Sequence, residues 1–134
     1  FYANQLNLDF DDKGTIAKFG KLDQALFAEL NNLPFYSKSH PKSLGFEFVK
    51  EIVLPLIEKH PLSRTDKMHT FTIHVAFQIS KALSQKKNKL LITGGGAYND
   101  FLIEEIQKYL PEMEIIIPNK KIFVLSFIFA KELT

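Results

Sequence analysis

Three consecutive glycines, Gly94, Gly95 and Gly96, form the segment of this chain best suited to ligand chemistry. A short apolar strand precedes them, and an amphipathic helix follows directly after Ala97 and Asn99. Glycine backbone can approach a ligand closely, and the free N–H groups and dipole of the following helix favour an anion or a polar nucleotide group. The pattern therefore predicts a nucleotide-contacting turn, although the same order also occurs in α/β units that bind no ligand.

The elements around the glycines predict a β-α-β unit. Leu90–Thr93 is short and apolar, as expected of a buried parallel strand, and Asn99 is a good N-cap for the next helix. That helix ends before Pro111, and Met113–Ile117 is the second strand. Its inward residues are Leu102, Ile106, Tyr109 and Leu110. A right-handed crossover would place the glycines at the carboxyl edge of the sheet, where open α/β sheets bind ligands.

Helices are predicted across the first half of the chain. A short one ends near Leu8, and another is capped by Asp23 and runs to about Asn31, before Pro34. The next helix contains Pro55, which should kink it or interrupt its hydrogen bonds. The apolar stripe of this helix consists of Phe48, Val49, Ile52, Val53 and Leu56.

A longer helix is predicted from about Asp66, with one continuous apolar stripe formed by Met68, Phe71, Val75, Ile79 and Leu83. The last apolar segment, residues 123–133, is predicted as a closing helix, although its composition would also suit a strand. The chain thus reads as an α/β lobe or single domain over residues 1–134. Residues 1–88 are mainly helical, and residues 89–134 hold the β-α-β unit.

Composition excludes several classes of function. The net charge of +2 is too small to indicate nucleic-acid binding, and the absence of cysteine excludes disulfides and thiol chemistry. No apolar stretch reaches the roughly 20 residues that span a bilayer, so no membrane association is expected and the cytoplasm is the expected location.

No metal site is expected. His69 and His74 are five residues apart, which does not place both on one helical face, and no carboxylate completes a zinc set. The Asp9–Gly14 turn is similar to a calcium loop, but Lys13 stands at a ligand position and Gly20 replaces the closing glutamate. His40 and His60 each precede a proline and are expected to face solvent.

Three blocks, in order along the chain, resemble the carboxyl-terminal part of anhydro-N-acetylmuramic acid kinase: Asp11–Asp23, Pro41–Glu47 and Thr93–Asn99. The resemblance extends from Phe1 to about Ile117. It implies the sugar kinase, Hsp70 and actin superfamily, in which two lobes close over ATP. The implied reaction is hydrolytic opening of the 1,6-anhydro ring with phosphorylation to N-acetylmuramic acid 6-phosphate, a step of cell-wall sugar recycling and peptidoglycan turnover.

The resemblance also implies roles for particular residues. The family's adenosine-contacting motif falls on Gly94, Gly95, Gly96, Ala97 and Asn99. Whether Asn99 contacts the nucleoside or only caps its helix stays open at this point. A Pro-Lys-Ser-x-Gly block, carried by Lys42, Ser43 and Gly45, shapes the cleft between the lobes or holds a loop.

The family's phosphate loop and its Asp-Thr-Gly-Pro block do not occur in this chain, and Ile73 stands where the resemblance implies an acidic residue. A phosphate clamp, a metal ligand and an activating base cannot be assembled from the remaining residues, so no catalytic residue is assigned and no Mg²⁺ ligand is expected here. ATP and the amino sugar are expected to bind with the help of the other lobe, and the resemblance implies a homodimer.

Two readings of the function remain open at the level of sequence. The first is the carboxyl-terminal lobe of a longer kinase, inactive alone, and Phe1 in place of an initiator Met is compatible with it. The second is a non-catalytic nucleotide-binding or assembly module derived from the same family. A plain α/β scaffold without a ligand is a third alternative.

Overall fold

The computed structural model of the chain describes residues 1–6, 8, 10–37, 46–83, 89–118 and 128–133. Its helices are α1 (Tyr2–Gln5), α2 (Thr15–Lys18), α3 (Gln24–Asn31), α4 (Phe46–Phe48), α5 (Leu54–Glu58), α6 (Arg64–Ala82) and α7 (Asp100–Tyr109). The strands are β1 (Lys89–Gly94), β2 (Glu114–Ile116) and β3 (Ile128–Leu133). Short 3₁₀ turns cover Pro34–Ser37 and Gly95–Tyr98, and Asp12–Gly14 forms a turn in which Lys13 and Gly14 have positive φ. Within these residues, no helix combines the length and apolarity that spanning a bilayer requires.

The strands form one sheet in the order β2-β1-β3. β1 is parallel to β2, with Leu90 opposite Ile115, and α7 connects the two strands. Leu90 and Ile92 of β1 are fully buried, as a strand between two neighbours requires. The structure confirms the mixed α/β class, the predicted β-α-β unit and the glycines at the carboxyl end of a parallel strand.

The closing segment differs from the prediction. Residues 128–133 form strand β3, antiparallel to β1, where a helix had been expected for residues 123–133; residues 123–127 lie outside the described part of the chain. The register places Leu91 opposite Lys131. Local pattern could not decide this segment, because strand formation there depends on hydrogen bonds to β1, which lies far away in sequence.

Helix α6 runs between two hydrophobic clusters. The first lies against the sheet and is built from residues of α6, β1 and α7, including Ala76, Leu90, Ile92, Leu102 and Ile106. The second lies among the amino-terminal helices and includes Tyr2, Leu26, Leu30, Val53 and Ile57. The stripe predicted as one face of α6 is divided between them: Met68 and Phe71 pack on the second cluster, and Val75, Ile79 and Leu83 pack on the first.

Pro55 changes the helix around it, as predicted. Val49–Val53 forms a π-helical turn between α4 and α5, and the Leu54 N–H donates to the Val49 carbonyl. Proline has no N–H for the regular ladder, and the wider turn rotates the apolar face. As a result Val53 is buried, whereas Ile52, which was predicted on the stripe, is 45% exposed.

His74 is fully buried at the centre of a polar network. Its Nδ1 lies 2.6 Å from Asn31 Oδ1, which also accepts from Gln78 Nε2 at 2.9 Å, so Nδ1 carries the proton. Nε2, 2.8 Å from the Tyr36 hydroxyl, therefore accepts from that hydroxyl. The network fastens the Pro34–Ser37 turn to α6. Burial lowers the pKa of His74 to about 4.

His60 is a further departure from the prediction. Its side chain is only 15% exposed and lies 3.4 Å from Glu29 Oε2, so it does not face bulk solvent. The Asp23 carboxylate that caps α3 lies 3.9 Å from its other ring nitrogen. The side chains of Asp23 and Glu29 thus hold the His60 ring against α3.

Candidate functional site

The glycine turn requires one of its three glycines for conformational reasons. Gly94 has φ +86° and ψ −178°, a combination that is essentially confined to glycine. Gly95 and Gly96 lie in the following 3₁₀ turn, whose backbone any residue can adopt. The chain therefore leaves β1 through a sharp bend at Gly94, and it reaches Asn99 after a single turn.

Asn99 caps helix α7. Its Oδ1 accepts a hydrogen bond from the Leu102 N–H at 3.0 Å, and its own N–H donates to the Gly96 carbonyl at 3.1 Å. The structure therefore shows Asn99 as a cap, and its contact with a nucleoside stays a prediction. Because the cap uses the amide oxygen, the Nδ2 group is the part of this side chain with hydrogens left to donate to a ligand.

The Asp11–Gly14 turn packs against the start of α7. The Asp11 carboxylate caps α2 by accepting from the N–H groups of Ile16 at 2.8 Å and Ala17 at 3.0 Å. Gly14, with φ +71°, is so close to Asn99 that an added Cβ would lie 2.1 Å from its Oδ1. The first and third sequence blocks, about eighty residues apart, thus meet at one point.

A cleft of about 350 Å³ opens beside this contact. Asp11 and Asn99 lie on its wall, together with Thr72 of α6. The remaining wall is apolar or aromatic and consists of Phe1, Tyr2, Ala3, Phe10, Ala17, Val49, Val53, Leu54, Ile57, Met68 and Phe71. Of the predicted nucleotide motif, Asn99 is among the residues that line this cleft, whereas Gly94–Ala97 are not. Sequence patterns missed this cleft because its wall comes from five separate segments.

Tyr2, on the wall of this cleft, makes a polar contact with Glu58. The Tyr2 hydroxyl donates to the Glu58 carboxylate, and Lys67 Nζ lies 3.3 Å from the same oxygen. Burial and the Glu58 contact raise the pKa of Tyr2, whereas the hydrogen bond from Tyr2 and the charges of Lys67 and Arg64 lower the pKa of Glu58. These groups tie α1 to α5 and α6.

Of the remaining predicted positions, Ile73 can be located, and the Pro-Lys-Ser-x-Gly block cannot. Ile73, which stands in place of the implied acidic residue, is 7% exposed and packs with Ala17 and Phe101. Lys42, Ser43 and Gly45 lie outside the described residues. In the part of the chain that the structure describes, no group of three acidic or histidine side chains is arranged to hold a metal ion.

Comparison with known proteins identifies the family. The family model for anhydro-N-acetylmuramic acid kinase matches residues 1–123. The chain belongs to the anhydro-N-acetylmuramic acid kinase family. This result confirms the resemblance carried by the three sequence blocks, two of which meet at the contact between Gly14 and Asn99.

Curated anhydro-N-acetylmuramic acid kinases from several bacteria align with the chain. The protein from Caldanaerobacter subterraneus subsp. tengcongensis is 31% identical over 119 residues, which cover 81% of this chain and 30% of that protein. The Xylella fastidiosa protein is 32% identical, over 86% of this chain and 31% of that protein. The Hahella chejuensis protein is 36% identical, over 75% of this chain and 28% of that protein. The chain thus spans about 30% of the length of these relatives.

Proposed function

We propose that this chain is the carboxyl-terminal lobe of an ATP-dependent anhydro-N-acetylmuramic acid kinase with an actin-like fold. Residues 1–134 act as one lobe that contacts the adenine nucleotide through Gly94–Ala97 and Asn99. The observation that carries the proposal is the sharp turn at Gly94, placed between a parallel strand and a capped helix in a chain of this family. Such a turn offers backbone surface to a nucleoside.

The proposed contribution of this lobe is binding and orientation. Phosphoryl transfer depends on holding the phosphates, a metal ion and the attacking water in line. In this proposal the nucleoside is held here, while the other lobe supplies the phosphate clamp, the Mg²⁺ ligands and the base, and completes the site for the amino sugar. The lobe then works in the cytoplasm as part of a larger, dimeric enzyme and has no turnover alone.

The test is an assay of ADP release with 1,6-anhydro-N-acetylmuramic acid as substrate. We expect no substrate-dependent turnover from the 134-residue chain. Activity should appear when the remaining two-thirds of a relative such as the Xylella fastidiosa kinase is added as a separate polypeptide. Since positioning accounts for much of the rate, the gain should be at least about a hundredfold. Turnover by the chain alone would contradict the proposal.

Asn99→Asp separates capping from ligand contact. The carboxylate keeps an acceptor for the Leu102 N–H, so the thermal stability should hold or rise slightly. It removes the Nδ2 donor, so we expect adenosine to bind about tenfold more weakly, as loss of one hydrogen bond predicts. Uncharged adenosine is the probe because the new negative charge would repel phosphates. Equal adenosine affinity in the two proteins would assign Asn99 to capping alone.

The burial of Ile73 favours a second candidate function, a non-catalytic nucleotide-binding or assembly module. Its side chain is packed between Ala17 and Phe101 and leaves no carboxylate at that position of α6. The complementation assay distinguishes the two candidates. A module of this kind would bind adenosine yet restore no activity to the added polypeptide.

A further inference from the structure

The contact between Gly14 and Asn99 joins two segments that the proposed function treats separately. An added Cβ on Gly14 would lie 2.1 Å from Asn99 Oδ1, 2.9 Å from its Cγ and 2.9 Å from Phe101 Cβ. Asn99 cannot easily move aside, because the Leu102 N–H holds the same oxygen in the cap. Gly14, which has no side chain, therefore packs directly against the side-chain amide of Asn99 and supports it.

The segment that carries Gly14 is itself held firmly. Asp11 caps α2 with both carboxylate oxygens, and Thr15 donates its hydroxyl to the Asp12 carbonyl at 2.8 Å. Further along, Gly20 is in close contact with α6, where an added Cβ would lie 2.4 Å from the Thr65 carbonyl oxygen. The support beneath Asn99 is thus anchored to the long central helix.

The orientation of the Asn99 amide follows from these contacts. Turning the amide over would set two donors, Nδ2 and the Leu102 N–H, against each other. Because Oδ1 is held between Gly14 and the Leu102 N–H, the orientation of the amide is fixed, and Nδ2 points away from these two groups. Asn99 lies on the wall of the cleft, together with Asp11, and this is the side on which we expect Nδ2 to donate.

We propose that Gly14 is a positioning residue of the glycine turn. By supporting the Asn99 amide it fixes both the start of α7 and the bend at Gly94–Ala97, and it delivers Nδ2 as a donor. The ligand group that this arrangement fits is a hydrogen-bond acceptor on a molecule whose adjoining surface is apolar, because the cleft wall beside Asn99 is mostly apolar or aromatic. The part that concerns the ligand rests on the function proposed above, whereas the positioning itself does not.

The experiment compares Gly14→Ala with Gly20→Ala in the full 134-residue chain. Both changes place a methyl group against packed atoms, but the three atoms nearest to the methyl at position 20 all belong to α6. Each is also combined with Asn99→Ser, which shortens the side chain and keeps a capping oxygen. Melting temperatures give the coupling between positions, and amide ¹H–¹⁵N spectra, recorded where all variants are folded, report the glycine turn.

We expect Gly14→Ala to lower the melting temperature by roughly 5 °C or more and to shift the amide signals of Gly94–Ala97. Adding Asn99→Ser to Gly14→Ala should recover part of that loss, whereas adding it to Gly20→Ala should recover none. Gly20→Ala should also leave the amide signals of Gly94–Ala97 in place. Equal losses in both Asn99 backgrounds, with unshifted turn signals, would overturn the proposal. If Gly14→Ala does not fold, folding of its double variant supports it, and failure of that variant counts against it.

Adenosine titration of the unchanged chain keeps the two proposals apart. Coupling between positions 14 and 99 without adenosine binding would leave the positioning role in place and remove the nucleotide site. If the unchanged chain binds adenosine, and Gly14→Ala weakens that binding at least tenfold while Gly20→Ala does not, the result would support both proposals. Binding that neither change alters would overturn the link between Gly14 and the ligand.

Discussion

Lowering the pH from 7 to 4 is expected to destabilise the folded chain by about 3 kcal/mol through His74 alone. The ring is fully buried, its Nε2 accepts from Tyr36 and its Nδ1 donates to Asn31. A second ring proton would place a positive charge in a buried site, away from water. This is why burial lowers the pKa of His74 from 6.5 to about 4.

The direction of the effect follows from proton linkage. The unfolded chain binds a proton at this ring below pH 6.5, whereas the folded chain does so only near pH 4. The unfolded state therefore takes up more protons across that interval. The contribution of His74 to stability should be nearly complete above pH 6.5, fall progressively between pH 6.5 and 4, and level off below pH 4 as the folded chain also binds the proton.

The measurement is the free energy of unfolding in urea at several pH values. His74→Gln lacks the titrating group, so its stability, although lower at pH 7, should fall less steeply across the same interval. His69→Gln is the matched control on the same helix, outside the buried network, and should keep the steep dependence. Identical pH dependence in His74→Gln and the unchanged chain would contradict the assignment.

Gly94→Ala is expected to destabilise the fold by about 1–3 kcal/mol, while Gly95→Ala costs little. Gly94 has φ +86°, which a side chain tolerates poorly, and it ends the strand that lies at the centre of the sheet. Gly95 begins a 3₁₀ turn, where alanine is acceptable. Denaturant unfolding of the two variants checks this directly, and equal stability would contradict the requirement for glycine at position 94.

Gly95→Val tests the proposed ligand contact without the conformational cost at Gly94. If nucleotide packs on the backbone of Gly95, a β-branched side chain should exclude it and lower ADP affinity about tenfold or more, with the apo protein nearly as stable as before. Isothermal titration gives the affinity. Unchanged affinity would remove Gly95 from the site, and a large loss of stability would mean that this glycine also serves the turn.

Local sequence signals predicted the elements that local chemistry controls. Asp23 and Asn99 cap α3 and α7, as the sequence predicted, because capping depends on a few neighbouring residues. Pro55 interrupts its helix for the equally local reason that it has no N–H. The strand at Leu90–Thr93 was recognisable because a buried parallel strand is apolar on both faces.

The features that were missed depend on distant partners. Strand β3 exists through its pairing with β1, and the buried network of His74 joins α3, the Pro34–Ser37 turn and α6. The meeting of Gly14 with Asn99 has no periodic signature either. Gly14 in the first sequence block was the available signal, but only the fold shows that the space left by its missing Cβ is occupied by the Asn99 side chain.

The most direct test of the central proposal is titration of the ¹⁵N-labelled 134-residue chain with ADP, followed by amide ¹H–¹⁵N spectra. We predict saturable shifts of the backbone amides of Gly94–Ala97 and of the Asn99 side-chain NH₂. The affinity should be lower than in a complete kinase, because in the proposed function the other lobe supplies further contacts to the nucleotide. Spectra that do not change at saturating ADP, or shifts confined to residues away from this turn, would contradict it.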